Sequence, residues 1–384
     1  MKRLKSIDIF RGISMIHMIF GHLVTWWLYS EQMWVLYLQI SLLNFMGAAG
    51  FLFVSGISTA ISYNTRIIKA TNSENYNKKL MRNEYMLRAL FIAGVALLFN
   101  IVIGWLESGN IIHLWRWYIL LTIALSLFFG WPLLKTSKLF RIFVGVGIWI
   151  IHKILSDYLM PHEGELNFNG ILYYILYHQF SDAPLIIFFS FFVFGTIIGD
   201  IIFEISQYEN QDKKFLAIKK KLILPTLIAA PILILFGVIY DFPQFWVKRG
   251  SFPNVFYALG LEMLLITILY SIEEFELIKP KKSYRFLYYF SYYSLSVFVG
   301  SFIFGLILRQ QFDVIPGLFC VIGTIILIGL LLRFLHKHIE GKYTILNWSI
   351  TFSMKLQITR WSSNIARSRL FKSSYTILTE KPIY

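Results

Sequence analysis

The residues that could do chemistry are concentrated in the first apolar stretch of the chain. This stretch carries Asp8, Arg11 and His22 among mostly aliphatic side chains. Residues eleven positions apart in a helix are separated by three turns plus roughly 20°, so Arg11 and His22 share a face about 16 Å apart along the axis. His17 lies about 140° round from His22 and is expected to face elsewhere.

This spacing suits a long ligand with an anionic end and a reactive end. Arg11 would hold phosphate by charge-assisted hydrogen bonds, and His22 could act as a base or nucleophile near neutral pH. Coenzyme A thioesters have this shape, with phosphates on a nucleotide and a thioester at the end of the pantetheine arm. A structural interpretation stays open, in which Arg11 pairs with Asp8 at i,i+3 and snorkels, and His22 packs against a neighbouring helix.

The composition places these residues in a membrane. Of 384 residues, 57% are hydrophobic and only 15% are charged, and the mean hydropathy is +0.62. A soluble globule keeps too much of its surface in water to be built this way. Ionisable groups within a membrane span are costly and mark functional sites by default. The single cysteine, Cys320, excludes a disulfide within the chain.

Ten stretches are long and apolar enough to cross the hydrocarbon core, which needs about 20 residues. The sequence therefore predicts an all-α membrane protein, a polytopic bundle of about ten transmembrane helices over residues 1–336. The first stretch lacks a small-residue cleavage site, so it is predicted to be retained. The ten stretches are residues 9–28, 34–62, 86–106, 113–133, 139–158, 183–204, 221–241, 253–272, 286–309 and 314–336.

The basic excess of the chain is a topology signal. The net charge is +15, and 30 of the 36 Lys and Arg residues fall on one side of the predicted spans, against five on the other. The positive-inside rule then puts both termini in the cytoplasm, with the basic tail 337–384 attracted to anionic lipid. We expect a multi-pass protein of the cell membrane in a prokaryote, with the lipid bilayer and not nucleic acid as its partner.

Several motifs resemble those of the integral-membrane acyltransferases. Residues 6–12, Ser-Ile-Asp-Ile-Phe-Arg-Gly, resemble the opening shared by the heparan-α-glucosaminide N-acetyltransferase family and its prokaryotic relatives. Arg11 through His22 matches the arginine–ten residues–histidine signature of the acyltransferase-3 type. The likeness covers roughly residues 4–336, and its weaker matches follow in order at residues 51–56, 87–90, 182–184 leading to Gly195 and Gly199, 251–254 followed by Gly260, and 293–298.

The resemblance implies transfer of an acyl group, usually acetyl, from cytoplasmic acyl-CoA to a hydroxyl or amine of a sugar, glycan or lipid-linked acceptor. Acetyl-CoA would be a co-substrate and not a bound cofactor. Arg11 would bind the donor with Asp8 in support, Arg88 is a second candidate for phosphate contact, and His22 would be the catalytic histidine. The heparan-type branch keeps its active histidine in the outer loop after the first helix, but residues 29–33 contain none. An acyl-histidine intermediate and general-base catalysis both stay open.

The outer half of the bundle is rich in rings and carries carboxylates that could bind a saccharide. Trp26, Glu31 and Asp182 are the acceptor-side candidates. An aromatic belt at the membrane interface is the favoured explanation of the tryptophans, with sugar stacking as the alternative. Sequence alone therefore leaves the acceptor site less defined than the donor site.

Other chemistries have weaker signals. His162, Glu163 and Glu165 lack helical or strand spacing for a metal, so no metal site is predicted. No Gly-x-Ser-x-Gly elbow or Walker loop is present, which disfavours hydrolysis and ATP-driven pumping. Glu262 inside the eighth stretch keeps a secondary transporter of a small anion or lipid intermediate as the alternative. A non-catalytic acyl-CoA sensor is a third possibility.

Overall fold

Helices make up the fold. The computed structural model describes residues 3–72, 76–108, 115–177, 183–240, 251–278 and 284–339. In these ranges every regular element is helical, apart from an isolated bridge between Leu28 and Phe312. The α-helices are α1 (Lys5–Trp27), α2 (Trp34–Leu43), α3 (Ala48–Asn72), α4 (Lys78–Ser108), α5 (Ile119–Leu133), α6 (Lys138–Leu159), α7 (Phe168–Leu176), α8 (Leu185–Ser206), α9 (Gln211–Ala217), α10 (Leu224–Tyr240), α11 (Phe252–Glu274), α12 (Arg285–Tyr292), α13 (Ser294–Ser301) and α14 (Val314–Ile339).

Seven helices of the described residues are long and apolar enough to cross a membrane. Each coincides with one of the ten predicted stretches, so the prediction of an all-α polytopic membrane protein is confirmed. The fifth of them joins α9 to α10 through a π-helical turn, Ile218–Ile223. The seven are Lys5–Trp27, Lys78–Leu106, Lys138–His162, Leu185–Ser206, Gln211–Tyr240, Phe252–Glu274 and Val314–His338.

The other three predicted stretches differ from single straight spans. The stretch 34–62 is divided by the 3-10 turn Asn44–Met46 into α2 and α3. The stretch 113–133 contains the 15-residue helix α5. The stretch 286–309 is bent by 75° between α12 and α13. Hydropathy averages over such breaks, so the count of ten and the side of each terminus stay predictions, and the tail from residue 340 lies outside the described residues.

Helix α1 lies at the centre of the bundle. Phe10, Met15 and Leu23 are fully buried along it. Its first turn is held by Glu273 of α11, whose carboxylate accepts hydrogen bonds from the backbone N–H groups of Lys5 (2.8 Å) and Ser6 (2.7 Å). A carboxylate satisfies the orphan donors of a helix N-terminus and complements its dipole. The helix that carries the predicted donor and catalytic residues is therefore fixed in place.

Helix α3 is fixed against α8 by close backbone contact. A Cβ atom at Gly56 would lie 2.2 Å from the carbonyl oxygen of Phe192, and one at Gly195 would lie 2.1 Å from that of Phe53. Small residues let membrane helices approach this closely, and larger ones would force the pair apart. The close packing of α3 on α8 fixes the position of the α3 face that is directed towards α1.

A buried ion pair ties α3, α6 and α8 together. Arg141 of α6 is 2% exposed and pairs with Asp200 of α8 at 2.7 Å. Arg141 also donates to the carbonyl oxygen of Thr136 (2.9 Å), and Asn64 of α3 donates to Asp200 (2.6 Å). The charge is compensated and hydrogen-bonded, as a buried charge must be. This arginine supports the wall of the bundle and is not available to a ligand.

Candidate active site

A cavity of about 470 Å³ lies between α1, α3, α4, α5 and the bent pair α12–α13. Its lining combines charged, polar and apolar side chains. Arginines come from the segment before α1 and from α1, α3 and α4, serines come from α3, α12 and α13, and aliphatic and aromatic side chains come from α1, α3, α4, α5 and α13. Such a cavity can hold a ligand that has both anionic and uncharged parts.

Two of the arginines in the lining are paired with carboxylates. Arg3 donates to Asp8 through Nε (2.6 Å) and Nη2 (3.0 Å), and Arg66 donates to Glu84 at 2.8 Å. Tyr76 donates to the same Glu84 oxygen at 2.9 Å. Burial and this hydrogen bond raise the pKa of Tyr76 to about 12, so the hydroxyl keeps its proton at neutral pH. These pairs hold Arg3 and Arg66 in position at the rim.

The other two arginines, Arg11 and Arg88, form no direct ion pair with a carboxylate of the described residues. Arg11 donates to the hydroxyl of Ser58 on α3, and the charge of Asp8 acts on it from a distance. The positive charges of Arg66 and Arg11 act on Arg88 across the cavity. Guanidinium groups that repel one another in a partly enclosed space attract an anion, and they match phosphate geometry in particular.

One stripe of α1 runs along the cavity and past its inner end. Arg11, Met15 and Met18 line the cavity in that order. His22 is the next residue on this stripe, because four further positions turn the helix by only about 40° beyond a full turn. The structure thus places Arg11 and His22 on the same face, as the periodicity predicts, but His22 itself does not line the cavity.

Aromatic rings surround His22. Its ring centroid lies 5.0 Å from Phe302, 5.2 Å from Trp26 and 6.1 Å from Phe298. Phe298 also lines the cavity and packs on Phe99 of α4 at 5.4 Å. One ring therefore separates the catalytic candidate from the inner end of the cavity.

The remaining polar residues of α1 face other neighbours. His17 contacts Gln39 of α2, whose Nε2 lies 3.3 Å from His17 Nδ1 and donates to the His17 carbonyl oxygen at 3.1 Å. Asp8 pairs with Arg3 and accepts a hydrogen bond from Ser291 at 3.0 Å. The structure therefore does not contain the Asp8–Arg11 ion pair at i,i+3, because the Asp8 carboxylate is paired with Arg3 instead.

The three acceptor-side candidates do not meet in a common pocket. Trp26 packs on His22 and against Gly305, where an added Cβ would lie 2.9 Å from its indole ring. Glu31 is exposed in the 3-10 turn Ser30–Gln32. Asp182 lies outside the described residues. Neither Trp26 nor Glu31 lines the cavity.

Two other acidic positions lie apart from the cavity. Glu262 is fully buried on α11, and neither of its carboxylate oxygens has a hydrogen-bond partner within the described ranges. Glu165 lies in the segment between α6 and α7, where hydrogen bonds from His162 (2.7 Å) and Asn167 (2.5 Å) lower the pKa of its carboxyl. No contact links either group to the arginines.

Sequence reasoning missed several residues of the cavity. Arg3 and Arg66 both line the cavity, whereas the sequence distinguishes neither of them from the other basic residues that indicate the topology. Ser55, Ser58 and Ser62 follow one another at i, i+3 and i+7 on α3 and all face the cavity. A polar stripe of this period inside an apolar stretch is the signal that predicts a solvated or ligand-binding helix face.

A comparison with known families finds a match over more than half of the chain. The model of the family described as heparan-alpha-glucosaminide N-acetyltransferase, catalytic, matches residues 3–236. The chain belongs to this family. The resemblance drawn from the first helix is thereby confirmed, and the protein is a multi-pass membrane protein with an acetyltransferase catalytic domain. No curated protein matches the chain.

The family match covers only part of the cavity. It includes α1, α3, α4 and α5, and with them Arg11, Arg88 and His22. The bent pair α12–α13, which contributes Tyr292 and Phe298 to the lining, lies beyond the matched residues. The wall that faces the arginines is therefore characterised here by its structure alone.

Proposed function

We propose that this protein transfers the acetyl group of acetyl-CoA to an amine or hydroxyl of a saccharide or lipid-linked glycan. The observation that carries the proposal is the course of the α1 stripe. It begins at Arg11, among uncompensated positive charge, and reaches His22 one ring beyond the cavity. The family match independently supports acetyl transfer.

The phosphates of the donor would bind Arg11 and Arg88. Both face the cavity without a carboxylate partner in the described structure, so an incoming phosphate does not have to break an existing ion pair. Arg66 adds positive charge while staying attached to Glu84. Hydrogen bonds to charged groups of this kind contribute about 1.5–3 kcal/mol each.

A flat surface beside the arginines would hold the adenine ring. The guanidinium of Arg3 lies 4.6 Å from the ring centroid of Tyr288 and 5.9 Å from that of Tyr292. Asp8 fixes Arg3 in this position, and both Arg3 and Tyr292 line the cavity. Planar aromatic and guanidinium faces stack well on a nucleobase. This surface supports a nucleotide-bearing donor over a simple anion.

His22 would serve the transfer step. The acceptor nitrogen or oxygen forms a bond to the acetyl carbonyl carbon, the carbon–sulfur bond breaks, and coenzyme A leaves as the thiol with the proton that the acceptor loses. The imidazole either carries that proton as a general base or takes the acetyl group before passing it on. The family name describes transfer to a glucosaminide, and for this chain we propose a saccharide amine or hydroxyl as the acceptor.

Donor binding tests the proposal without knowledge of the acceptor. Calorimetry with acetyl-CoA on the detergent-solubilised full chain should give saturable binding, weakened about tenfold or more by Arg11→Ala and by Arg88→Ala. Arg82→Ala is the matched control, because Arg82 lies on α4 but outside the cavity lining. Absence of binding to folded wild-type protein, or equal weakening by Arg82→Ala, would overturn the proposed donor site.

A further inference from the structure

Part of the cavity lining is apolar and closely packed. Met15, Ile92, Leu120 and Phe298 belong to this part, and their exposed fractions are 0%, 7%, 3% and 4%. Arg11 lies about one helical turn before Met15 on α1, and Arg88 lies about one turn before Ile92 on α4. If the phosphates of the donor bind these arginines, the part of the donor that reaches the apolar side chains is its acyl group.

Phe298 closes this part of the cavity. Its ring contacts Phe99 at 5.4 Å and Phe302 at 5.5 Å, so both neighbours restrict its rotation. The 75° bend between α12 and α13 determines where Phe298 lies, since a straight continuation of α12 would carry residue 298 in a different direction. Phe302 lies closer to His22, at 5.0 Å, but does not line the cavity.

We propose that Phe298 is the residue that limits the length of the transferred acyl group. Its ring lies between the apolar lining of the cavity and His22, so an acyl chain longer than acetyl would have to displace it. Additional methylene groups in a packed site displace side chains and weaken binding, whereas truncation of a large ring leaves a cavity. This inference rests on the proposed function and adds the donor specificity of the same site.

The experiment compares acetyl-, butyryl- and hexanoyl-CoA. Calorimetry on detergent-solubilised full-length protein gives one dissociation constant for each donor. Wild type should bind acetyl-CoA at least tenfold more tightly than hexanoyl-CoA. Phe298→Ala should abolish or reverse this ranking, because each methylene group that gains a buried site favours binding by about fourfold.

Phe304→Ala is the matched control. It removes a ring of equal size that packs on Trp27 of α1 and does not line the cavity. This variant should keep the wild-type ranking of the three donors. Phe298→Leu keeps a branched apolar side chain at the position and should give an intermediate ranking, which tests the proposal should the alanine variant fail to fold.

The outcomes separate this inference from the proposed function. Failure of folded wild type to bind any acyl-CoA would remove the proposed function and this inference with it. Acetyl-CoA binding with an unchanged ranking in both folded Phe298 variants would overturn the role of Phe298 alone. Wild type that binds hexanoyl-CoA as tightly as acetyl-CoA, or a ranking that Phe304→Ala reverses equally, would also overturn it.

Discussion

The two ends of helix α1 are organised in different ways. Around its first turns, side chains from α1, α3 and α4 converge on one cavity and bring uncompensated positive charge with them. At its last turn, backbone groups meet instead, because the N–H groups of Gln310 and Gln311 donate to the carbonyl oxygens of Trp26 (2.8 Å) and Trp27 (3.0 Å). The difference teaches that the end of α1 where we propose donor binding is built from side chains on packed helices, whereas the other end is closed by backbone pairing.

The largest expected effect lies at the junction of these two regions. His22→Ala should reduce acetyl transfer by about 10²–10⁴-fold, because loss of a positioned proton-transfer group costs this much. Its acetyl-CoA dissociation constant should stay within about twofold, since His22 does not line the cavity. Transfer can be measured as coenzyme A thiol released in the presence of a saccharide acceptor mixture.

His17→Ala provides the control for this change. His17 lies on the same helix but faces Gln39, so transfer by this variant should stay within about threefold of wild type. Equal loss of transfer in both variants, or equal loss of folded protein, would mean that His22 has a packing role only. The proposed difference between the two ends of α1 would then be wrong.

A smaller effect is expected at the aromatic surface beside Arg3. Tyr292→Leu should weaken acetyl-CoA binding by about threefold to tenfold, the amount that aromatic stacking contributes. Binding of acetyl-pantetheine phosphate, which lacks adenine, should not change. Parallel calorimetry with both ligands separates a nucleobase contact from general damage, and equal weakening of both would place the adenine elsewhere.

The smallest effect is expected at the outer turn. Glu31→Gln should leave the acetyl-CoA dissociation constant within about twofold, because Glu31 is exposed and far along the chain from the cavity lining. Calorimetry under the same conditions measures it. Donor affinity that falls tenfold would mean that the two ends of α1 are coupled, which the described contacts do not show.

Periodicity predicted the relation between Arg11 and His22 correctly, because a 23-residue helix with few breaks obeys the ideal rotation per residue. It did not predict the partner of Asp8, which is decided by the path of the chain before α1 and by Ser291 of α12. Nor could it predict Arg66 as a cavity residue, since that depends on how closely α3 packs against its neighbours. Local spacing predicts which residues share a face of one helix, but it does not predict which residues of different helices come into contact.

The bend between α12 and α13 is another feature that the sequence does not predict. Residues 286–309 are apolar enough for one span, and no hydropathy average marks a break near Tyr293. The 75° bend is a property of packing against α1 and α14. It nevertheless decides that Phe298 meets His22, so the proposed acyl specificity could not be reached from the sequence.

The sequence by itself determined the membrane class, the helical architecture, the family and the stripe from Arg11 to His22. These follow from composition, helical period and local motif, which need no knowledge of distant contacts. Only the tertiary structure decided which charges stay uncompensated, which serines face them and which ring closes the cavity. The physical reason is that these properties depend on pairs of residues such as Asp8 and Ser291, or His22 and Phe298, which are far apart in the chain and meet only when the helices pack.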